Sequence, residues 1–323
     1  MPGQSADTVP EVGTRIIDCH VHLCVDEKQE RLVFPKKGWP LAWYWANPVG
    51  AIPYMDARGI SHMVTMNVMD VGKMTDARIA RLETEQGSPA SAAAKEEIRE
   101  DMRARIRRFN DWACGVHAKQ ERILIFAMAD PVLFGEDVVA EVERCLNLGA
   151  TGVKLHPTFC RHLPDHPTLL ALYDFCQDRG VPVLSDTNSR DMPPGIGYGY
   201  PAHWRPVLKR FPRLRLIMAH LCAGMWDERV ELAAEFKDNL WFDISGGFVD
   251  ALHPSSGHRQ LPHEQAPRVL KKIGIERILY GSDSPAFGED VLDSVWQVLK
   301  LTLADDEKEK ILWRNSATLL DIE

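Results

Sequence analysis

Eight short apolar, β-rich runs constrain the fold of this 323-residue chain more than any other feature. They are Arg15–His22, Ser61–Val68, Arg122–Ala129, Thr151–His156, Val181–Asp186, Arg215–His220, Leu240–Ile244 and Arg277–Asp283. Segments with helical spacing lie between most of them. Examples are 135–149, 166–180 and 225–239, each ending in the Gly or Asn that stops a helix. Such alternation predicts a parallel sheet. Eight strands, with no glycine-rich dinucleotide turn after the first, favour an α/β fold of the (β/α)8 TIM-barrel type over an open doubly wound sheet. Residues 1–323 are therefore expected to form a single barrel domain, with 1–14 flexible. Segments 23–48 and 70–118 exceed a minimal barrel and are expected as insertions, the second with a hinge at GSPASAAA (87–94).

A formal charge of −8 argues against nucleic acid as a partner, since no Lys/Arg excess exists to release counterions. The basic cluster RARIRRF (103–109) follows the acidic EEIRED and reads as a solvated helix face. The N-terminal MPGQSADTVPEVGT lacks the apolar core of a signal peptide, and no later run reaches ~18 apolar residues. A cytoplasmic protein without a membrane partner is the expectation. Seven cysteines without CxxC spacing then read as small core residues or free thiols, Cys160 and Cys222 included.

Polar residues gather where the apolar runs end: His20 and His22, Lys154 and His156, Asp186, His220, and Asp283. Barrel enzymes build their sites at that rim, and residues two apart in a strand share a face. Imidazoles and carboxylates converging in a dry barrel mouth are costly to bury uncompensated. A divalent metal of the zinc type supplies the compensation.

In order along the chain, the HVH after the first strand, GVKLHP, PVL, AHLCAG and ILYGSDSP resemble the amidohydrolase superfamily. Within it they resemble the branch that includes aminocarboxymuconate-semialdehyde decarboxylase and many metal-dependent hydrolases. The likeness runs from Ile16 to NSATLL (315–320). It implies a distorted barrel holding one divalent ion, usually zinc, with manganese or iron as alternatives. Carried over, His20, His22 and Asp283 become ligands and His220 the catalytic histidine, with Asp283 also moving protons. The branch places a histidine where this chain has Asp186 in VPVLSDTNS. Either Asp186 ligates the metal, or His156 supplies the missing nitrogen, or the site is impaired. Lys154 is an ion-pairing residue or, as in binuclear members, a carboxylated bridge.

Three functions follow from that resemblance. The leading one is hydrolysis of an amide, lactone or related carbonyl by a metal-activated water. The second is non-oxidative decarboxylation of an aromatic or unsaturated acid, and the third is a catalytically impaired binding homologue. In every case the partner is a small molecule, and a homodimer is expected from the family. Trp39, Trp43, Tyr44 and Trp45 follow the HVH strand and form either a lid over the metal or packing for the insertion. Lys36, Lys37, Arg161, Arg190 and Arg259 lie in strand-exit loops and are available to hold a substrate carboxylate.

Overall fold

The computed structural model describes residues 13–35, 44–187, 197–221, 224–248, 261–286 and 291–323. Trp39, Trp43, Arg190, Lys36, Lys37, Arg259, Cys222 and residues 1–12 lie outside the described residues. All eight expected strands form, each within a few residues of its predicted bounds. They are β1 Ile16–Val21, β2 Ile60–Met66, β3 Ile123–Met128, β4 Gly152–Leu155, β5 Val183–Ser185, β6 Leu216–Met218, β7 Leu240–Asp243 and β8 Ile278–Leu279. They pair in parallel, in chain order, as one sheet.

The first and last strands close the barrel. Cys19 N donates to Tyr280 O (2.9 Å), Asp283 N to His20 O (2.8 Å) and His22 N to Ser284 O (2.9 Å). Asp18 reinforces this seam from inside. Its Oδ1 accepts from His20 N (3.2 Å) and Ser282 N (3.0 Å). Two glycines permit close approaches. A Cβ at Gly281 would stand 2.8 Å from the His20 Cβ, and one at Gly152 would strike the Phe126 ring at 2.5 Å. Both β1 and β3 are buried along their whole length, as strands covered on both faces must be.

The first two strand-to-strand connections carry extra helices. After β1 come α1 (Glu27–Val33), capped by Asp26, and α2 (Ala51–Arg58). After β2 come α3 (Val71–Gln86), capped by Asp70, and α4 (Ala92–His117), capped by Ser91 from the Ser/Ala-rich hinge. Ile98, Met102, Ile106 and Ala113 are buried along α4 at helical spacing. Asn110 on the same stripe pins the helix to the end of β3: its Nδ2 donates to Met128 O (3.1 Å), and Met128 N donates to its Oδ1 (3.0 Å). That anchor fixes which face of α4 turns toward the barrel mouth.

Burial lifts the Asp18 carboxyl to about 7 against the lowering effect of the Ser282 hydrogen bonds. An amide in its place keeps the accepting oxygen without a charge. Asp18→Asn should therefore stay within about 1 kcal/mol of wild type in urea unfolding. Asp18→Ala orphans two buried N–H groups and should cost about 2–4 kcal/mol.

Candidate active site

β1 delivers His20 and His22 to one side of the strand, and both line the cavity at the strand C-termini. His20 Nδ1–H donates to Asp243 Oδ2 (2.9 Å), and His22 Nδ1–H donates to the Met66 carbonyl (3.1 Å). A neutral imidazole committed at Nδ1 presents a lone pair at Nε2. Yet His22 Nε2 lies 2.9 Å and His20 Nε2 3.7 Å from Asp283 Oδ1, an oxygen that only accepts. Two bare nitrogens and a carboxylate oxygen thus converge with no hydrogen between them. A divalent cation is the group that such a donor set fits. The donor atoms of His20, His22 and Asp283 lie within 4.8 Å of one another. His20, His220 and Asp243 meet the same criterion, but there His20 Nδ1 is already bonded to Asp243.

Asp243, at the end of β7, organises this floor. Besides holding His20, its Oδ1 accepts from the backbone N–H of His220 (3.0 Å) and of Ser245 (3.0 Å), and from the Ser245 hydroxyl. With its hydrogen given to Asp243, Ser245 Oγ accepts from His220 Nδ1–H at 2.8 Å. His220 Nε2 then faces Asp186 Oδ1 at 3.1 Å. A donor is required there too, so His220 is wired as an imidazolium between Ser245 and Asp186. His220 and Asp283 both hold left-handed backbone conformations (φ 63° and 58°), at a cost of about 1 kcal/mol each.

His156 turns the other way. Its Nδ1 accepts from Phe159 N (3.3 Å), its ring stacks on Phe159 at 3.7 Å, and its Nε2–H points at Asp186 Oδ1, 3.8 Å away. Asp186 thus lines the same cavity but faces His220 and His156, outside the close donor group. Lys154 is buried in the cavity wall.

Protonation follows from these contacts. Burial, aided by Lys154, lowers His20 to about 4, and burial lowers His156 to about 4, so both rings are neutral. Burial disfavours the ionised form of Asp283, yet the adjoining His22 ring and the neighbouring His20 and His220 imidazoles hold it well below the usual carboxylate range. Burial likewise opposes ionisation of Asp186 and Asp243. His156 and His220 overcome it at the first, and His20 at the second. Burial pushes Lys154 down, against the pull of Asp186, Asp243 and Asp283. For His220, burial is outweighed by Asp186 and Asp283, and its pKa rises.

Two expected substrate contacts go elsewhere. Trp45 is 1% exposed and stacks on Tyr54 of α2 at 4.3 Å, so it packs the connection after β1 and forms no lid. Tyr44 lies under the Arg31 guanidinium at 3.9 Å. Arg161 caps a short helix and pairs with Asp76 of α3 at 2.6 Å, away from the cavity lining. Conversely, Arg105 and Arg108 of the supposed solvated cluster line the cavity, which encloses about 860 Å³. Sequence reasoning missed Asp243, although LWFD is an apolar run ending in an acid, the same signal that marks the other site residues. Cys160 is buried and its thiol is pushed up by burial, consistent with a packing role.

The sequence model of the family described as amidohydrolase matches residues 17–322. The chain belongs to the amidohydrolase family. It is thereby one of a group of metal-dependent enzymes that includes hydrolases and decarboxylases. Solved structures share the fold at low identity. A 2,6-dihydroxybenzoate decarboxylase from Rhizobium is 19% identical with a TM-score of 0.67, over 96% of this chain and 99% of that one. A dihydroxybenzoic acid decarboxylase from Polaromonas sp. JS666, with bound manganese and 2-nitroresorcinol as inhibitor, gives 18% and 0.65 over 96% and 97%. A probable 2-pyrone-4,6-dicarboxylic acid hydrolase from Acinetobacter baumannii, with citric acid bound, gives 14% and 0.58 over 95% and 99%. No curated protein matches the sequence. Among the described residues, no helix of this amidohydrolase is long and apolar enough to cross a membrane.

The placement of Trp45 and Arg161 has a direct consequence. Trp45→Ala should lower the unfolding free energy by about 3–5 kcal/mol, as loss of a buried aromatic does. Arg161→Ala, which breaks a surface ion pair, should change it by less than about 1 kcal/mol. Neither is expected to alter ligand affinity at the cavity in calorimetric titration.

Proposed function

We propose that the protein is a metal-dependent, non-oxidative decarboxylase acting on an aromatic or unsaturated carboxylic acid. The observation that carries the reading is the cavity floor, where a bare-nitrogen and carboxylate donor set stands beside a protonated His220. His20, His22 and Asp283 would hold the ion, and manganese or zinc suits their nitrogen and oxygen donors. Bound there, the ion would supply positive charge to fix the acid and draw electron density from it. Asp243 holds His20 with Nε2 free, and Asp186 holds the His220 imidazolium in position. Lys154 offsets the surplus of buried negative charge.

In the reaction the carbon–carboxylate bond breaks, CO2 leaves, and the bond's electron pair remains on the substrate carbon. His220 transfers its proton to that carbon, and the Asp186 carboxylate and Ser245 hydroxyl orient the ring for the transfer. Aromatic and apolar cavity walls, among them Phe34, Phe159 and Met66, keep water from competing for the carbanion-like carbon. Two likenesses to decarboxylases support this reading over hydrolysis. The second reading, hydrolysis of a lactone or amide with Asp283 as the proton acceptor, draws on the likeness to the A. baumannii hydrolase.

Headspace CO2 and product spectra over a panel of aromatic hydroxy acids, starting with 2,6-dihydroxybenzoate, test the proposal. 2-Pyrone-4,6-dicarboxylate serves as the lactone probe. The account predicts CO2 release that a chelator abolishes and added manganese or zinc restores. Ring opening of the pyrone with no CO2 from any acid would establish hydrolysis instead. His220→Asn should lower kcat by about 10²–10⁴-fold with the metal retained. Asp186→Asn should also retain the metal while lowering kcat. Metal loss on that substitution would make Asp186 a ligand.

A further inference from the structure

We propose that the outer end of the cavity is an anion-binding subsite formed by Arg105 and Arg108. It would take a second acidic group on the substrate, making that substrate an elongated diacid with an apolar or aromatic body. The inference rests on the proposed chemistry at the metal centre, which takes the first acidic group.

The four arginines of the cluster at 103–109 divide sharply. Arg103 is paired with Glu96 and with Glu100 (2.5 Å), and it also donates to Leu133 O. Arg107 lies 3.5 Å from Glu141. Arg105 and Arg108 have no hydrogen bond or ion pair among the described residues, and both line the cavity that has His20, His22 and Asp283 at its floor. They are exposed, so their charge costs little to maintain until a ligand covers it.

The face they occupy is built for more than solvent. Arg105, Arg108, Phe109 and Trp112 fall at i, i+3, i+4 and i+7 of α4, and all four line the cavity. The Phe109 and Trp112 rings stack nearly parallel, 5.5 Å apart. The Asn110 bonds to Met128 fix the rotation that presents this face. Apolar side chains, including Met69, Met74 and Phe159, line the wall that the arginines share with the metal donors. The acid on this side is Asp70, whose Oδ1 is committed to capping α3 through Lys73 N at 3.1 Å. A cavity of about 860 Å³ is several times the size of a one-ring acid, which would leave the arginine end unfilled. A guanidinium pair one turn from stacked rings suits a carboxylate attached to a flat body.

Isothermal calorimetry on the manganese-loaded protein tests this without requiring turnover. The probes are terephthalate, naphthalene-2,6-dicarboxylate and biphenyl-4,4′-dicarboxylate, each beside its monoacid: benzoate, 2-naphthoate and biphenyl-4-carboxylate. At least one diacid should bind wild type about 10-fold or more tightly than its monoacid. In the double variant Arg105→Gln/Arg108→Gln that advantage should fall below about 2-fold, with monoacid affinity unchanged. Both positions are exposed on a helix and glutamine is a good helix former, so the variant keeps its fold. Monoacids that bind with no diacid advantage in wild type, or an advantage that survives the double substitution, would overturn the subsite and leave the decarboxylase reading standing. Absence of binding by either class would overturn both.

Discussion

Two carboxylates line the floor of one cavity and a third, Asp243, is buried behind it, and everything around them answers to their charge. Asp186, Asp243 and Asp283 are all at most 6% exposed, and each is held ionised. Buried anions in such proximity persist only if positive charge or strong donors meet them. The His220 imidazolium and Lys154 answer part of the demand. The remaining contacts leave His20 and His22 with lone pairs turned on Asp283, and only a cation satisfies that set. Backbone strain at His220 and Asp283, the missing side chain at Gly281 and the Asp18 seam between β1 and β8 all serve to hold this cluster at one place.

The barrel and the extra helices divide the work. Strand ends supply the polar groups of the cavity floor, and these depend on the closed sheet for their positions. Helix α4 supplies another wall, tied to the end of β3 through Asn110. Decarboxylases and a hydrolase share this fold with the protein at under 20% identity, so the fold does not choose the reaction. The choice falls to the wall residues and to the proton carried by His220.

The strand ends were legible in the sequence because each is an acid or imidazole that interrupts an apolar run. His20 and His22 were also readable as a pair, since the strand period puts both on one face. Asp243 carried the same signal and was overlooked because its neighbours Ile244 and Ser245 blur the end of the run. Arg105 and Arg108 were not legible at all. Arginines on a helix are usually solvated, and what lies opposite them is decided by tertiary docking of α4. Trp45 misled for the opposite reason: nearness to the HVH strand along the chain did not bring it to the site, because stacking on Tyr54 claimed it. For Asp186, the sequence showed a departure from the family pattern without showing its partners, and those are set by the folds of β4 and β6.

The central claim is that His20, His22 and Asp283 form a metal centre, and metal stoichiometry tests it most directly. Plasma mass spectrometry on protein reloaded with manganese or zinc, then freed of excess metal, should find about one equivalent in wild type and almost none in His22→Ala or Asp283→Ala. A wild-type protein that retains no metal, or a His22→Ala variant that keeps a full equivalent, would contradict the account.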